Sequence, residues 1–322
     1  MAQPLVIAHR GASGYLPEHT LAAYAVAVEM GADFIEPDLV MTKDGVLVAR
    51  HENEIGGTTD VAERAQFAAR RTTKKIDGTE VTGWFTEDFT LAELKTLRAK
   101  ERIPNLRPAN ARFDGRFEVP TFEEVLRLAR AQPRRIGVYP ETKHPSYFAS
   151  IGLAMEEPLV KLLHANGFRG RRARAFIQSF EVGNLKRLAK ITEVPLVQLL
   201  SDQGKPWDDP RTYAELATPA GLEEIATYAR GIGPHKNLMI PRTAEGALGE
   251  PTSLVRDAHA AGLLVHGWTF RAESLFLPKE FRAEGPPPVH GDMVGELKRF
   301  LALGMDGFFT DQPARELKKL PQ

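Results

Sequence analysis

The chain has 322 residues, of which 43% are hydrophobic and 26% charged, so it is long and apolar enough for one large folded core. Its 42 Lys and Arg residues balance its 42 Asp and Glu residues. A formal net charge of zero argues against a general nucleic-acid binder, which needs a basic face against phosphates. The absence of cysteine excludes disulfides, thiolate metal sites and cysteine nucleophiles.

The N-terminal sequence MAQPLVIAHRG enters an apolar run almost at once. No basic region precedes that run, so a signal peptide is not expected at this end of the sequence. Elsewhere, no stretch approaches the roughly 18 apolar residues of a membrane span. Stable membrane insertion is therefore not expected, and no feature of the sequence indicates an oligomeric state.

Short β-type runs alternate with amphipathic helical runs, a pattern typical of βα units around a parallel sheet. Eight runs are predicted strands: 5–10, 34–40, 136–143, 174–180, 195–200, 230–233, 263–270 and 307–311. Seven stretches are predicted helices: 20–31, 121–131, 156–166, 181–191, 221–229, 252–261 and 292–303. The predicted fold class is α/β, a (β/α)₈ TIM barrel over residues 1–322, with an open doubly wound sheet as the alternative.

The segment 52–117 breaks this alternation. A further predicted strand, 46–51, leads into it, and the segment itself is rich in Thr, Arg, Lys and Asp. It contains one short helix-like stretch, 90–99. A loop of that length without its own structure would be unusual in a compact domain. We therefore predict a small inserted subdomain after the second barrel strand.

Paired carboxylates indicate a metal site. Alternation along the strand 34–40 places Glu36 and Asp38 on one face. Two buried carboxylates are costly unless something neutralises them, and a divalent cation with oxygen ligands would do so. Glu141 and Lys143 repeat the spacing near the end of 136–143, so Glu141 is a candidate third ligand and Lys143 could balance charge or hold an anion. The alternative is that these pairs are ion pairs at the barrel rim.

Two histidines close predicted strands near these carboxylates. His9 ends the first strand and His51 ends the run VLVARH. Imidazoles can donate or accept a proton near neutral pH, so the pair predicts acid–base catalysis of phosphodiester cleavage. Arg10 offers a fork of donors suited to phosphate oxygens. A lone histidine after a strand is more often a rim residue, and Arg10 taken alone could equally be part of a strand-end salt bridge.

These motifs resemble the glycerophosphodiester phosphodiesterase family. The run IAHRGASGYLPEHT (7–20) is similar to its opening signature, and the Glu-x-Asp of IEPDLVMTKDG (35–45) and the histidine of LVARH (47–51) follow in family order. Further similar runs cover most of the chain: YPETK (139–143), QSF (178–180), VQLL (197–200), GIGP (231–234), HGWT (266–269) and GFFTDQP (307–313). His19 stands where many members have Asn, and the PEHT form and the long insertion resemble the bacterial periplasmic subgroup.

The resemblance implies a role for each matching residue. The implied ligands of one divalent ion, calcium in that subgroup and magnesium in others, are Glu36, Asp38 and Glu141. The implied general acid and base are His9 and His51, in an order that stays open. The implied phosphate and substrate contacts are Arg10 and Lys143, with Glu18 orienting groups nearby and Gln178 and Trp268 lining the pocket. For Trp268, simple packing at the top of the barrel is an equal alternative.

The implied reaction is hydrolysis of glycerophosphodiesters, such as glycerophosphocholine or glycerophosphoethanolamine, to sn-glycerol 3-phosphate and an alcohol. The nucleophile could be water or the glycerol 2-hydroxyl. A phospholipase-like reaction on a membrane lipid is the nearest alternative, but the charged segment 52–117 does not favour one. A binding protein that lost activity is the other, and the complete set of candidate residues argues against it. The resemblance implies a periplasmic or secreted protein, with a cytoplasmic location as the alternative.

Overall fold

The structure is a computed structural model that describes residues 3–314, 317, 319 and 320. Its strands are β1 Leu5–His9, β2 Phe34–Glu36, β3 Asp38–Met41, β4 Leu47–Ala49, β5 Thr72–Ile76, β6 Thr79–Gly83, β7 Gly137–Val138, β8 Glu141–Thr142, β9 Ile177–Ser179, β10 Leu196–Leu200, β11 Gly231–Pro234, β12 Leu264–Phe270 and β13 Gly307–Thr310. Each of the eight predicted barrel strands overlaps one or two of these. The additional predicted strand 46–51 contains β4, which pairs antiparallel with β3.

Helices connect most of the strands. They are α1 Leu21–Glu29, α2 Leu91–Leu94, α3 Pro108–Ala111, α4 Phe122–Arg130, α5 Pro145–Ser150, α6 Glu156–Ala165, α7 Val182–Leu188, α8 Tyr213–Leu216, α9 Pro219–Ile225, α10 Lys236–Met239, α11 Leu254–Ala260 and α12 Met293–Leu301. Each of the seven predicted helices overlaps one of them. None of the helices in the described residues is both long and apolar enough to cross a membrane.

Local sequence explains where a helix such as α4 begins and which side it buries. The Thr121 side chain accepts a hydrogen bond from the Glu124 backbone N–H, and the Glu124 carboxylate accepts one from the Thr121 N–H, forming a capping box. The buried side chains recur at helical spacing: Phe122, Val125, Leu126 and Ala129. This apolar stripe packs the helix against the sheet.

Eleven strands form one curled sheet in the order β4-β3-β8-β9-β10-β11-β12-β13-β1-β2-β7. Two predicted barrel strands are each divided in two by a proline, which lacks the N–H that a ladder needs. Pro37 separates β2 from β3, and Pro140 separates β7 from β8. Because β2 pairs with β7 and β3 with β8, the two divided strands stay in register with each other. β13 pairs in parallel with β1. The curled parallel sheet agrees with the predicted barrel and not with an open doubly wound sheet.

Apolar side chains fill both surfaces of the sheet. A small cluster inside the barrel consists of Ile7, Phe34, Tyr139, Val197 and Phe309. A much larger cluster lies between the strands and the helices. The strands are thus buried on both faces, as expected of parallel strands covered by helices.

The segment 52–117 folds against the barrel. It contains the antiparallel hairpin of β5 and β6, the helices α2 and α3, and three short 3₁₀ helices at Val61–Glu63, Ala65–Arg70 and Thr86–Asp88. The predicted helix-like stretch 90–99 is reduced to the four residues of α2. Buried side chains of the segment, such as Ile55, Phe67 and Leu94, belong to the same hydrophobic cluster as the barrel. Its status as a separate subdomain stays a prediction.

Candidate active site

Three carboxylates converge at the carboxyl-terminal side of the first barrel strands. Glu36 ends β2, Asp38 begins β3 and Glu141 begins β8, and Asp38 is paired directly with Glu141 in the sheet. One oxygen from each carboxylate lies within 4.8 Å of the other two. All three residues are buried. The site that the sequence predicted from Glu36 and Asp38 therefore contains Glu141 as well.

The electrostatics of this cluster fit a cation with oxygen ligands. Burial and the charges of Asp38 and Glu141 raise the pKa of Glu36 well above its usual range. Burial, with Asp38 beside it, raises the pKa of Glu141 to about 8. Burial also works to raise the pKa of Asp38, but the charges of Lys143 and Arg10 and a hydrogen bond from His19 hold it well below its usual range. Burial and mutual repulsion disfavour the ionised forms of these carboxylates, and a bound divalent ion would stabilise them.

Arg10 links the cluster to its surroundings. Its backbone N–H donates to Glu36 Oε2 at 2.8 Å. Its guanidinium lies 3.2 Å from Asp38 (Nε–Oδ2) and donates from Nη1 to Glu18 Oε2 at 3.0 Å. The backbone of Arg10 is left-handed (φ 61°), which turns the chain sharply at the end of β1. Glu18, expected among the substrate-binding residues, is buried and does not line the central cavity, so its carboxylate lies behind Arg10.

His19 is a further buried partner of the cluster. Its Nε2 lies 2.9 Å from Asp38 Oδ2, and its Nδ1 lies 2.7 Å from the Tyr24 hydroxyl. In the sequence, His19 stands out only because many members of the similar family have Asn at this position. In the fold it fixes one oxygen of Asp38, which is a positioning role behind the carboxylate cluster.

A carboxylate holds each of the two candidate catalytic histidines. His9 Nδ1 lies 2.6 Å from Asp311 Oδ1, which leaves Nε2 for other partners. His51 Nδ1 lies 2.5 Å from Glu52 Oε1, and its Nε2 lies 3.2 Å from Lys143 Nζ. A carboxylate at one ring nitrogen fixes the orientation and tautomer of an imidazole.

Burial makes both imidazoles weak bases. It lowers the pKa of His9 to about 4, and Arg10 contributes in the same direction. It lowers the pKa of His51 to about 3, with Arg10 and Lys143 contributing. Both rings are therefore neutral at neutral pH, the state in which an imidazole accepts a proton.

Arginines surround the two orienting carboxylates. Arg102 donates to Glu52 from Nη1 and Nη2 at 2.9 and 2.7 Å, and to Glu18 from Nε and Nη2 at 3.0 and 2.6 Å. Asp311 Oδ2 accepts from Arg107 Nη2 at 2.5 Å and from Arg271 Nε at 2.8 Å. Burial works to raise the pKa of Asp311, but the charges of Arg271 and Arg107 hold it well below its usual range. Both orienting groups are thus ionised.

A cavity of about 520 Å³ opens over these groups. The predicted site residues among its lining side chains are His9, Arg10, Glu36, His51, Glu141, Lys143, Gln178 and Trp268. Lys143 Nζ lies 2.8 Å from Glu141 Oε1, and Gln178 Nε2 donates to Glu36 Oε1 at 3.2 Å. Trp268 donates from Nε1 to the Gly233 carbonyl at 2.6 Å and presents an aromatic wall beside Phe180. Asp38 and Glu18 lie behind this lining.

Known proteins resemble this chain over nearly its whole length. The glycerophosphoryl diester phosphodiesterase family matches residues 9–315. A glycerophosphodiester phosphodiesterase of Arabidopsis thaliana is 39% identical, over 96% of this chain and 84% of the plant protein. One of Bacillus subtilis (strain 168) is 33% identical, over 96% of this chain and 84% of its own length. The chain belongs to the glycerophosphoryl diester phosphodiesterase family and is an enzyme of that class.

Solved structures of similar fold include proteins described as phosphodiesterases. The crystal structure of a Silicibacter pomeroyi protein described as a glycerophosphoryl diester phosphodiesterase aligns with a TM-score of 0.70 at 22% identity, over 99% of this chain and 94% of that one. A phosphodiesterase of Oleispira antarctica, solved with the product sn-glycerol 3-phosphate, aligns with a TM-score of 0.63 at 20% identity, over 99% and 95%. At this identity the likeness concerns the fold.

Several residues of this glycerophosphoryl diester phosphodiesterase site were missed by the sequence reasoning. They are Glu52, Arg102, Arg107, Arg271 and Asp311. Two of them carried a usable signal, because Glu52 directly follows His51 and Asp311 lies in the quoted run GFFTDQP. The sequence gives no comparable signal for the arginines, whose neighbours along the chain do not mark them.

Proposed function

We propose that this member of the family hydrolyses glycerophosphodiesters, such as glycerophosphocholine and glycerophosphoethanolamine, to sn-glycerol 3-phosphate and an alcohol. The observation that carries the proposal is one cavity lined by His9, His51, Arg10 and Lys143 beside a cluster of buried carboxylates. These groups match the needs of the reaction, which are cations for the phosphate and two proton-transfer groups. The product reported for the Oleispira antarctica relative supports glycerol 3-phosphate as the product here.

We infer that the reaction depends on a divalent cation held by Glu36, Asp38 and Glu141, whose oxygens lie within 4.8 Å of one another. Such an ion supplies Lewis-acid polarisation of a non-bridging phosphate oxygen. Calcium is the proposed ion, ahead of magnesium, because the opening motif and the insertion resemble those of the periplasmic subgroup. Three carboxylates are ligands that either ion accepts.

The chain's own cations would bind the phosphodiester. Arg10 and Lys143 line the cavity and flank the carboxylate cluster from two sides. Their donors would contact the non-bridging oxygens and stabilise the charge that gathers there during cleavage. Lys143 also lies 3.2 Å from His51, so phosphate binding would replace this contact with one to the substrate.

His9 and His51 would share the two proton transfers of the reaction. One neutral imidazole takes the proton of the nucleophile at Nε2, and the other histidine gives a proton from Nε2 to the departing alkoxide. The second histidine must therefore enter the reaction as the imidazolium, with its Nδ1–H held by the carboxylate. The contacts to Asp311 and Glu52 leave Nε2 of each ring for these transfers. The nucleophile is water or the glycerol 2-hydroxyl, and a cyclic glycerol phosphate found among early products would identify the second.

The proposed function is tested by release of glycerol 3-phosphate from glycerophosphocholine, with and without a chelator. We expect turnover that the chelator abolishes and that added calcium restores. His9→Ala and His51→Ala should each lower the rate by about 10²–10⁴-fold, the usual contribution of one acid–base group. Absence of turnover with calcium present would contradict the proposed reaction. Full activity in either alanine variant would contradict the acid–base assignment alone.

We also propose a periplasmic or secreted location, which rests on the resemblance of the PEHT motif and the insertion to the periplasmic subgroup. Fractionation of native cells, followed by detection of the protein in each fraction, tests it. Recovery from the cytoplasmic fraction alone would contradict this location without affecting the proposed reaction.

A further inference from the structure

The end of the barrel opposite the active site has an unusual concentration of arginine. A cavity of about 830 Å³ opens there, and its lining includes apolar residues that begin a strand or directly precede one: Leu5, Phe34, Ile136 and Phe176. Six arginines line it: Arg130, Arg134, Arg135, Arg169, Arg172 and Arg174. No carboxylate is among the lining residues in the described part of the chain. A protein of zero net charge thus collects six positive charges around one concavity.

The arginines approach the cavity from two sides. Arg130, Arg134 and Arg135 lie between the end of α4 and β7, and Arg169, Arg172 and Arg174 lie between α6 and β9. The two loops are called the two walls of the cavity, and each contributes three arginines to its lining. A ligand in the cavity would therefore meet guanidinium groups from both walls.

Four of these six charges are not neutralised by a carboxylate in the described part of the chain. Arg174 lies 3.6 Å from Asp33 (Nη2–Oδ1) and over the Phe34 ring. Arg130 and Arg169 donate only to uncharged oxygens, at Asn166 and at the His164 carbonyl. Within residues 3–314, no carboxylate lies within ion-pair distance of Arg130, Arg135, Arg169 or Arg172. Like charges around one cavity repel one another, so an anion in the cavity would be bound favourably.

The type of cation indicates the type of anion. All six charged groups are guanidinium groups, and none is an ammonium. A guanidinium presents its donors as a planar fork that matches two oxygens of one phosphate, which an ammonium does not. Six such forks around one cavity fit a ligand with more than one phosphate-type charge better than a single small anion.

We propose that this arginine-lined cavity is a second binding site, for an anion that carries two or more phosphate charges. The shared chemistry is the phosphate group, whether it belongs to a free polyphosphate compound or to the headgroups of an anionic lipid surface. The site lies at the amino ends of the strands, so an occupant would leave the catalytic cavity at their carboxyl ends open. Binding there would localise the enzyme near phosphate-rich material without taking part in cleavage.

The first test is titration of the full chain with inorganic triphosphate in a calorimeter. Arg135→Glu and Arg172→Glu reverse one charge on each wall, and both side chains are exposed, so the fold should be retained. We expect each variant to weaken triphosphate binding about tenfold or more, since a hydrogen bond between charged groups is worth at least that factor. The matched control is Arg112→Glu, an exposed arginine outside this cavity whose side chain donates a hydrogen bond to the Ala109 carbonyl. The control should bind like the wild type.

The second test separates the two sources of phosphate. Sedimentation with vesicles of phosphatidylcholine, with and without phosphatidylglycerol, measures binding to an anionic lipid surface. Binding of triphosphate alone would assign the site to free anions, and additional retention on phosphatidylglycerol vesicles, weakened in Arg135→Glu, would include lipid headgroups. Absence of binding to both probes would overturn the proposal, as would binding that the two cavity variants leave unchanged. Turnover of glycerophosphocholine should be the same in all variants.

Discussion

Nη2 of Arg107 lies 2.5 Å from Oδ2 of Asp311, although 204 residues separate the two along the chain. Asp311 in turn holds His9 Nδ1 at 2.6 Å. Arg107 belongs to the segment 52–117, and the buried contact means that this segment supplies a counter-charge to the group that orients a candidate catalytic histidine. The segment therefore helps to position the side chains of the candidate active site in addition to lying next to it.

Asp311→Asn tests whether the negative charge beside His9 matters for catalysis. Asparagine keeps the size of the side chain but removes the charge and can present an N–H to the ring nitrogen, which favours the wrong tautomer. We expect kcat for glycerophosphocholine to fall by about 10²–10⁴-fold. KM should change little, because Asp311 does not line the cavity. Steady-state kinetics measure both constants.

Glu52→Gln is the corresponding change beside His51. The side chain of Glu52 is 35% exposed, whereas that of Asp311 is 3% exposed, so water can take over part of its role. We expect a smaller loss of kcat than in Asp311→Asn. Wild-type kcat in both variants would mean that neither histidine needs its carboxylate partner for the reaction.

Arg102→Gln tests the second link between the segment and the site. Arg102 makes four hydrogen bonds to the carboxylates of Glu18 and Glu52, and glutamine cannot span both. Loss of such an outer partner lowers activity by about 10–100-fold in comparable sites, and we expect a loss in that range. The measurement is kcat/KM for glycerophosphocholine.

The matched control for Arg102→Gln is Arg98→Gln in the same segment. The Arg98 side chain is 31% exposed, against 29% for Arg102, but it contacts the Lys95 and Leu97 carbonyls and Glu118 instead of the site. Its activity should stay within about twofold of the wild type, as for most surface changes. An equal loss in both variants would point to a general disturbance of the segment.

Some residues of the candidate site could be predicted because their positions in the sequence are unusual for their residue type. His9 ends a strand, and Glu36 and Asp38 are charged residues in a strand that must be buried on both faces. Arg102 and Arg107 could not be predicted in this way. They follow the helix-like stretch 90–99, in a part of the segment without helical or strand periodicity. Their partners at Glu18 and Asp311 depend on the path of the chain in space.

The hairpin of β5 and β6 was missed although its signal is present. The residues TTKKIDGTEVTG contain Asp77-Gly78 between two β-type runs, the strongest short signal for a two-residue hairpin turn. Both turn residues have positive φ, 44° and 82°, as such a turn requires. The interruptions of the sheet at Pro37 and Pro140 were equally open to prediction, since proline cannot donate to the ladder.

Added calcium should stabilise the folded protein. The carboxylates of Glu36, Asp38 and Glu141 repel one another without a cation, and an ion that binds only the folded state adds about 2.7 kcal/mol at a concentration of 100 times its Kd. We expect Tm to rise on addition of calcium chloride and to return on chelation. Thermal unfolding followed by circular dichroism measures the change.

Glu36→Gln should reduce the stabilisation of the folded protein by calcium. The amide removes a carboxyl group whose ionised form is unfavourable in the metal-free site, as its raised pKa indicates. The metal-free variant should therefore be at least as stable as the metal-free wild type, while calcium should stabilise it far less. Glu118→Gln, whose side chain is 53% exposed outside the cluster, should respond to calcium like the wild type. Equal stabilisation of Glu36→Gln and the wild type would rule out Glu36 as a ligand.

His266 should make stability depend on pH independently of the active site. The ring is fully buried inside the barrel, with Nδ1 2.8 Å from the Tyr139 hydroxyl, and burial lowers its pKa from 6.5 to about 4. The unfolded chain protonates this histidine at a higher pH than the folded chain does. The stabilisation is therefore complete above pH 6.5 and is lost as the pH falls toward 4. The total loss is about 3 kcal/mol.

His266→Gln removes this titration and keeps a side chain that can hydrogen-bond Tyr139. Urea unfolding of both proteins at several pH values between 6.5 and 4 gives the difference in their free energies of unfolding. The other buried histidines, such as His9 and His51, are present in both proteins, so their titration cancels in this difference. We expect the advantage of the wild type to shrink by about 3 kcal/mol across the window. A constant difference would mean that His266 binds protons equally in the folded and unfolded chains.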